Sequence, residues 1–320
     1  MTRIRALRGR VALAFTLTLA ALTTVLASDA GAQRRRVTDS DTRSRVDTTL
    51  AFDKSGTVTV TANNGDIVIT GWSRNEAHVR AVSDDENIRF SSSSARMTLE
   101  IGGSRRGSDT RFEVSVPYGV RVVARTQSGD ISVRGTRGEV EAHAQSGDVH
   151  IEDVAARLDV VTISGEVTAA SVAGDVEINT VSGDVKITDL RGNADITAVS
   201  GDVDLRGVTA RVVRAKTTNG DVNYDGLIDP AGRYEFATHS GDIRLHIPRD
   251  ASAQLTMSTW SGSITPGFPI TLKPGEHGIG ASNAKRFTFD IGGGAARISA
   301  ETFSGDITIS ANGRGASDRR

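Results

Sequence analysis

Eight acidic side chains each follow a glycine by one position: Asp130, Asp148, Glu166, Asp184, Asp202, Asp221, Asp242 and Asp306. Gathered into a column, carboxylates offer the hard oxygen ligands that Ca²⁺ takes. Asp130, Asp148, Asp184, Asp202 and Asp221 form the candidate calcium column. Neighbouring charges one strand spacing apart repel by about 0.9 kcal/mol in water, so something must offset them. A bound cation does so. So does a backbone N–H accepted by each Asp within its own turn, a common Asx habit. The calcium-binding nonapeptide G-G-x-G-x-D carries a doubled glycine, which these segments lack.

A second column lies two residues before each glycine and reads Gln127, Gln145, Ile163, Val181, Val199, Thr218, His239, Trp260 and Phe303. The column before it reads Thr126, Ala144, Thr162, Thr180, Ala198, Thr217, Thr238, Thr259 and Thr302. Side chains alternate faces along a strand, so an inward Thr/Ala column turns the Gln-to-Phe column outward. That column grows more apolar and aromatic toward the C-terminus, and an exposed apolar stripe marks a contact surface. Ile163, Val181, Val199, His239, Trp260 and Phe303 are the candidate partner contacts, unless a terminal segment or long loop covers them.

Other chemistry leaves no trace. The six histidines show no metal-ligand spacing, and neither a G-x-S-x-G elbow nor a phosphate-cradling glycine loop occurs. Gly292-Gly293-Gly294 reads as a turn. Carboxylate pairs recur throughout a repeat, so their proximity says little about glycoside chemistry. No catalytic residue, cofactor or firm metal site is assigned.

The elements that position both columns are written in a repeat. TQSGDI, AQSGDV, TISGEV, TVSGDV, AVSGDV and TTNGDV place glycines at 129, 147, 165, 183, 201 and 220, spaced 18, 18, 18, 18 and 19 residues apart. Self-similarity at a fixed period marks a stacked architecture. A weaker corner at Gly138, Ala156, Gly174, Gly192 and Ala210 halves the unit. Apolar residues alternate after each strong corner, as in Val149/Ile151, Val167/Ala169 and Val185/Ile187, and line one interior. The expected fold is all-β: a parallel β-solenoid with two short strands per 18–21-residue coil. Antiparallel excursions are expected near both ends, and right-handedness follows from the general chirality of parallel crossovers.

Residues 1–32 read as a secretory signal peptide: Arg3, Arg5, Arg8 and Arg10, an apolar run over 11–27, then Ala30-Gly31-Ala32. Cleavage after Ala32 removes four arginines and one aspartate from 38 basic and 39 acidic residues, leaving a formal charge of −4. That is no nucleic-acid footprint. No further apolar run is long enough to span a membrane. The chain has no cysteine, so its stability rests on the stacked core. Residues 33–47 read as a flexible charged leader, 48–125 as a first coil with capping strands, and 126–310 as the repeat. Within the repeat, 225–233 and 266–285 read as loops and 263–300 as an excursion; 311–320 reads as a disordered tail.

With its early NGDI at 64–67, Gly71-Trp72, the VPYG step at 116–119 and a late glycine-rich segment before TFSGDI, the chain resembles a bacterial adhesin-like family of β-strand repeats, a domain of unknown function. The resemblance covers about 48–310. It implies a parallel β-solenoid in an exported or envelope-associated protein, and it lends no catalytic residues.

The expected function is therefore a non-enzymatic, exported scaffold that binds an envelope protein, a surface polymer or a copy of itself through a long repetitive face. It would reside in the periplasm, on the outer surface or in the medium. An envelope-stress sensor is the alternative. A polysaccharide-active β-helix enzyme fits less well, because coils are short and aromatics make up only 4% of residues.

Overall fold

The computed structural model describes residues 33–35, 44–83, 88–101, 110–267, 271–272 and 285–312. Among them every regular element is a strand, and no helix is long and apolar enough to cross a membrane. The expected signal segment lies outside the described residues, as do most of 266–285 and the tail beyond Asn312.

Each coil is a strand entering a glycine corner and a strand leaving it. The entering strands pair in parallel, Arg121–Ser128 to Val140–Ser146 to Leu158–Ser164 to Val176–Ser182 to Ala194–Ser200. The leaving strands form a second parallel ladder from Asp66–Trp72 through Ile131–Arg134, Val149–Val154 and Val167–Val172 to Val185–Leu190. Alternation sends Val176, Ile178, Val185, Ile187 and their equivalents inward, all essentially inaccessible. Burying each such side chain contributes roughly 1.5–3 kcal/mol. A coil can bury them only against its neighbours.

The ten corner glycines, from Gly65 to Gly305, adopt φ between 125° and 155°. A Cβ at Gly183 would lie 2.0 Å from the Gly165 carbonyl oxygen, and the other nine would meet an oxygen at 2.0–2.3 Å. Glycine is thus required twice over, by torsion and by contact. The second corner bends at Gly138, Ala156, Gly174 and Gly192, as expected, and the three glycines approach the neighbouring coil as closely as the strong corners do, a Cβ there lying 2.1–2.2 Å from a backbone oxygen. A left-handed residue stands three places before each weak-corner residue, at Gly135, Asp153, Ser171, Asp189 and Gly207, with φ of 54–66°. Asp and Ser stand there because short polar side chains tolerate this region better than most.

Chain order and spatial order part company at both ends. Thr57–Asn64 lies between Arg121–Ser128 and Arg96–Ile101, parallel to both, and Thr110–Pro117 continues the outer coil. Residues 97–101 and 112–116, in the stretch read as a first coil with capping strands, therefore form a second, parallel coil. The antiparallel cap is Glu76–Ser83 on Thr110–Pro117 and Ile88–Ser92 on Arg96–Ile101. Ser44–Ala51 and Gln33–Arg35 pair outside these. Strand pairing thus reaches into the stretch expected to be a flexible leader.

At the other end Ala296–Ser304 inserts between Val222–Ser240 and Ala253–Ser261, parallel to both. Lys285–Ile291 caps Ala253–Ser261 antiparallel. Residues 296–300, expected in the excursion, thus belong to a coil. Of the expected loop at 225–233, residues 226–228 instead pair with 208–210, while 229–232 bulge out of the register, with the Ala231 N–H donating to Asp229 Oδ1 at 2.8 Å. Tyr224, Tyr234 and Phe236 fill the wider coil, with the Tyr234 hydroxyl donating to the Ala210 carbonyl at 2.7 Å. Burial pushes both tyrosine hydroxyls above their ordinary pKa.

Gly183→Ala should therefore destabilise the chain by at least about 2–3 kcal/mol, read by urea denaturation. Ser171→Gly should do the reverse, by up to about 1 kcal/mol, since it removes a left-handed non-glycine residue. Equal stability of Gly183→Ala and wild type would refute the corner geometry.

Candidate binding face

The acidic column is an interlock between coils. Asp148 N–H donates to Asp130 Oδ1 at 2.8 Å, and Glu166 N–H to Asp148 Oδ1 at 2.8 Å. Asp202 N–H donates to Asp184 at 2.9 Å, Asp221 N–H to Asp202 at 2.8 Å and Asp242 N–H to Asp221 at 2.8 Å. Asp306 N–H continues to Asp242 at 2.9 Å, and Ser263 N–H to Asp306 at 2.7 Å. The N–H accepted belongs to the next coil in space, not to the residue's own turn as expected. The alternation of turn and strand brings each corner N–H over the carboxylate below. All five calcium candidates, Asp130, Asp148, Asp184, Asp202 and Asp221, hold such a bond, and among the described residues no three His, Cys, Asp or Glu are placed to hold a metal ion.

Cationic side chains complete the compensation. Arg244 reaches Asp221 at 2.6 Å and Asp242 at 2.7 Å. Burial pushes the Asp221 carboxyl up, yet the Asp242 N–H and Arg244 together hold it below its ordinary value. The Ser263 N–H and hydroxyl lower that of Asp306. Glu166, one carbon longer, turns instead to Lys186 at 2.8 Å and to the Thr168 hydroxyl at 3.2 Å. Behind the corner, buried Thr217, Thr238, Thr259 and Thr302 donate to the glycine carbonyls of adjacent coils at 2.9–3.1 Å.

The six predicted contact residues fall in one outward column. Ile163 and Val181 are each 49% exposed, Val199 46%, Phe303 48% and Trp260 41%, and His239 is exposed with them. Because Ala296–Ser304 inserts between its neighbours, Phe303 lies between His239 and Trp260. The rings stack nearly parallel, with centroids 4.9 Å apart for His239–Phe303 and 5.8 Å for Trp260–Phe303. Such pairs contribute about 0.5–1.5 kcal/mol beyond area burial. The stripe thus has an aliphatic half and an aromatic end, separated by Thr218.

Sequence reasoning passed over the exposed Val161, Val212 and Leu227. It also passed over Arg233, Arg286 and Arg297, which line a hollow of about 310 Å³ on the strand face bearing the aromatic end. No local pattern marks these arginines, since Arg233 is brought to Arg286 and Arg297 from more than fifty residues away in the sequence.

The model of the Toastrack DUF4097 family matches residues 48–310, the whole span of the coil stack short of its last strand's end. The chain belongs to the Toastrack DUF4097 family. No curated protein matches it. Two solved structures are similar over most of their length. One is a Clostridium sporogenes protein named for cell adhesion, 9% identical, matched over 84% of this chain and all of its own, with a TM-score of 0.20. The other is a Bacteroides fragilis protein named as an adhesin, 11% identical, matched over 83% of this chain and 97% of its own, with a TM-score of 0.36. At such scores the likeness carries no argument about this Toastrack chain's site.

Two outcomes are expected of the interlock. Carboxyls with lowered folded-state pKa contribute stability above their unfolded value of about 3.9, and that stability is lost as pH falls through the lower folded values. The Tm should stay level from about pH 8 to 5 and fall below about pH 4; a Tm unchanged to pH 2.5 would contradict this. Glu166→Asp should restore the acceptor and raise stability by about 0.5–1 kcal/mol.

Proposed function

We propose that the chain is an exported, non-enzymatic binding or scaffold protein, adhesin-like in action, built as a right-handed parallel β-solenoid. In this reading residues 1–32 are removed on export and the stack works in the periplasm, on the outer surface or outside the cell. The observation that carries it is the stripe from Ile163 to Trp260: large apolar side chains kept 41–49% exposed along one column. Exposed contiguous apolar surface is costly to keep without a partner. The ten glycine corners and the outer coil beyond Gly65, at about 4.8 Å each, extend the face over roughly 50 Å. Affinity on such a face comes from many weak, evenly spaced contacts. An envelope protein or surface polymer is the partner.

The test is retention of envelope components on immobilised protein, beside a Trp260→Ala/Phe303→Ala variant. Components held by wild type and released by the variant support the reading, provided the variant's Tm falls by no more than a few degrees. Equal retention by both would remove the stripe from the account.

A further inference from the structure

Along most of the stack a basic side chain meets a carboxylate on a neighbouring coil. Arg157 pairs with Glu177, Lys186 with Glu166 at 2.8 Å, and Arg214 with Asp195 at 2.7 Å and Glu235 at 3.4 Å. The pattern breaks at the C-terminal end. Arg233 and Arg297 face each other in the register of two adjacent parallel strands, both exposed. Among the described strand pairings this is the one place where two arginines stand opposite. Like charges in that position repel. Arg286 approaches from the antiparallel cap, opposite Ser258. None of the three makes an ion pair among the described residues. The one carboxylate lining their hollow, Glu235, is taken by Lys216 at 2.6 Å and by Arg214.

The rest of the lining is uncharged: beside Tyr234 and Ile298, Gln254, Thr256 and Ser299 supply amide and hydroxyl groups between the guanidiniums. The hollow of about 310 Å³ is at the small end of ligand-sized clefts. Outward residues on Ala296–Ser304 run Arg297, Ser299, Glu301, Phe303, so the hollow and the aromatic end share one face, separated by roughly 20 Å. A hollow of about 480 Å³ beside Asp66 is different. Its Arg80 and Arg111 are already paired with Glu113 and Asp66.

We propose that the Arg233–Arg286–Arg297 hollow is a subsite for an acidic polysaccharide. Guanidiniums take its carboxylate or sulfate groups, bidentate where geometry allows. Gln254, Thr256 and Ser299 take the intervening hydroxyls, and the His239–Phe303–Trp260 end takes the apolar faces of sugars further along. This rests on the reading that the face binds a partner, and it names the partner's class. Charges spaced by hydroxyls fit arginines spaced by hydroxyls. A continuous polyanion such as nucleic acid fits poorly, because Glu301 lies on the same path and the whole chain carries a formal charge of −1.

The test is binding of the purified chain to immobilised polygalacturonate, dextran sulfate, neutral dextran and single-stranded DNA at 50, 150 and 500 mM NaCl, with salt levels chosen to span about 14 to 4 Å of screening. Binding to either acidic glycan, weakening with salt and absent for dextran, is expected; which of the two binds identifies the charged group. Arg233→Ala/Arg297→Ala should weaken it at least tenfold with an unchanged Tm, while Arg206→Ala, elsewhere on the surface, should not. Binding to neither acidic glycan, equal binding to dextran or DNA, or an unaffected double variant would each overturn the proposal. Should envelope retention still depend on Trp260 and Phe303 in that event, the binding face stands and only the acidic-glycan assignment falls. If instead acidic glycan binds through the arginines while retention ignores the aromatic pair, only the stripe's role falls.

Discussion

Every strong corner passes so close to its neighbour that one hydrogen is all the Cα can carry on that side. The missing Cβ at Gly183 would stand 2.0 Å from the Gly165 carbonyl oxygen, and the same contact recurs up the stack through Gly201, Gly220, Gly241, Gly305 and Gly262. From this follow the parallel ladders, the inward threonines that donate to those same carbonyls, and the aspartates that cap the next coil's N–H. Charge then becomes useful instead of costly. Carboxylates that would only repel in solution are turned into fasteners between coils, and Arg244 spans two of them. The outer columns inherit their alignment from this spacing, which is why an apolar stripe can run straight along one face.

The same constraint explains how the ends are closed. A coil with glycine corners presents an open edge, and exposed edges invite pairing with other chains. At the N-terminal end the chain lays an inner coil, adds an outer one and steps back across it; at the C-terminal end it builds the outer coil first and then fills the gap inside it. The result puts Arg96–Ile101 outside Thr57–Asn64, and Ala253–Ser261 outside Ala296–Ser304. Antiparallel strands then cover the outermost entering strands. The return at the C-terminal end also creates the features most suited to binding. It seats Phe303 between His239 and Trp260, and it brings Arg297 beside Arg233.

Much of this was legible in the residues because a period repeats its message. Six copies of the corner motif make the inward Val/Ile positions and the outward Ile163–Phe303 column readable from alternation alone. Where the message is not repeated, reading fails for identifiable reasons. The left-handed position before the second corner is not reserved for glycine, so Asp153, Ser171 and Asp189 gave no sign of their backbone. The aspartate column was recognised, but an Asx residue can cap its own turn or its neighbour's, and only the stacking distance decides. Residues 225–233 carry Gly226, Pro230 and Gly232, the composition of a loop, yet 226–228 stay in the ladder and only 229–232 bulge, fastened by the Asp229 N–H to the Tyr234 hydroxyl. The order of coils is the largest omission. Nothing local in residues 253–312 states that the later coil lies inside the earlier one, so the arginine hollow could not be foreseen.

That order is the claim on which the aromatic stack and the hollow both stand, and the absence of cysteine makes it directly testable. Ser240, Ser304 and Ser261 are exposed and occupy one register position on successive strands. Adjacent strands lie about 4.8 Å apart and next-nearest ones about twice that, while a disulfide spans at most about 7 Å between Cα atoms. Under mild oxidation Ser240→Cys/Ser304→Cys and Ser261→Cys/Ser304→Cys should each cross-link within the chain, and Ser240→Cys/Ser261→Cys should not. Cross-linking of the 240–261 pair, with the 240–304 pair remaining reduced, would mean the coils stack in chain order and would contradict the account.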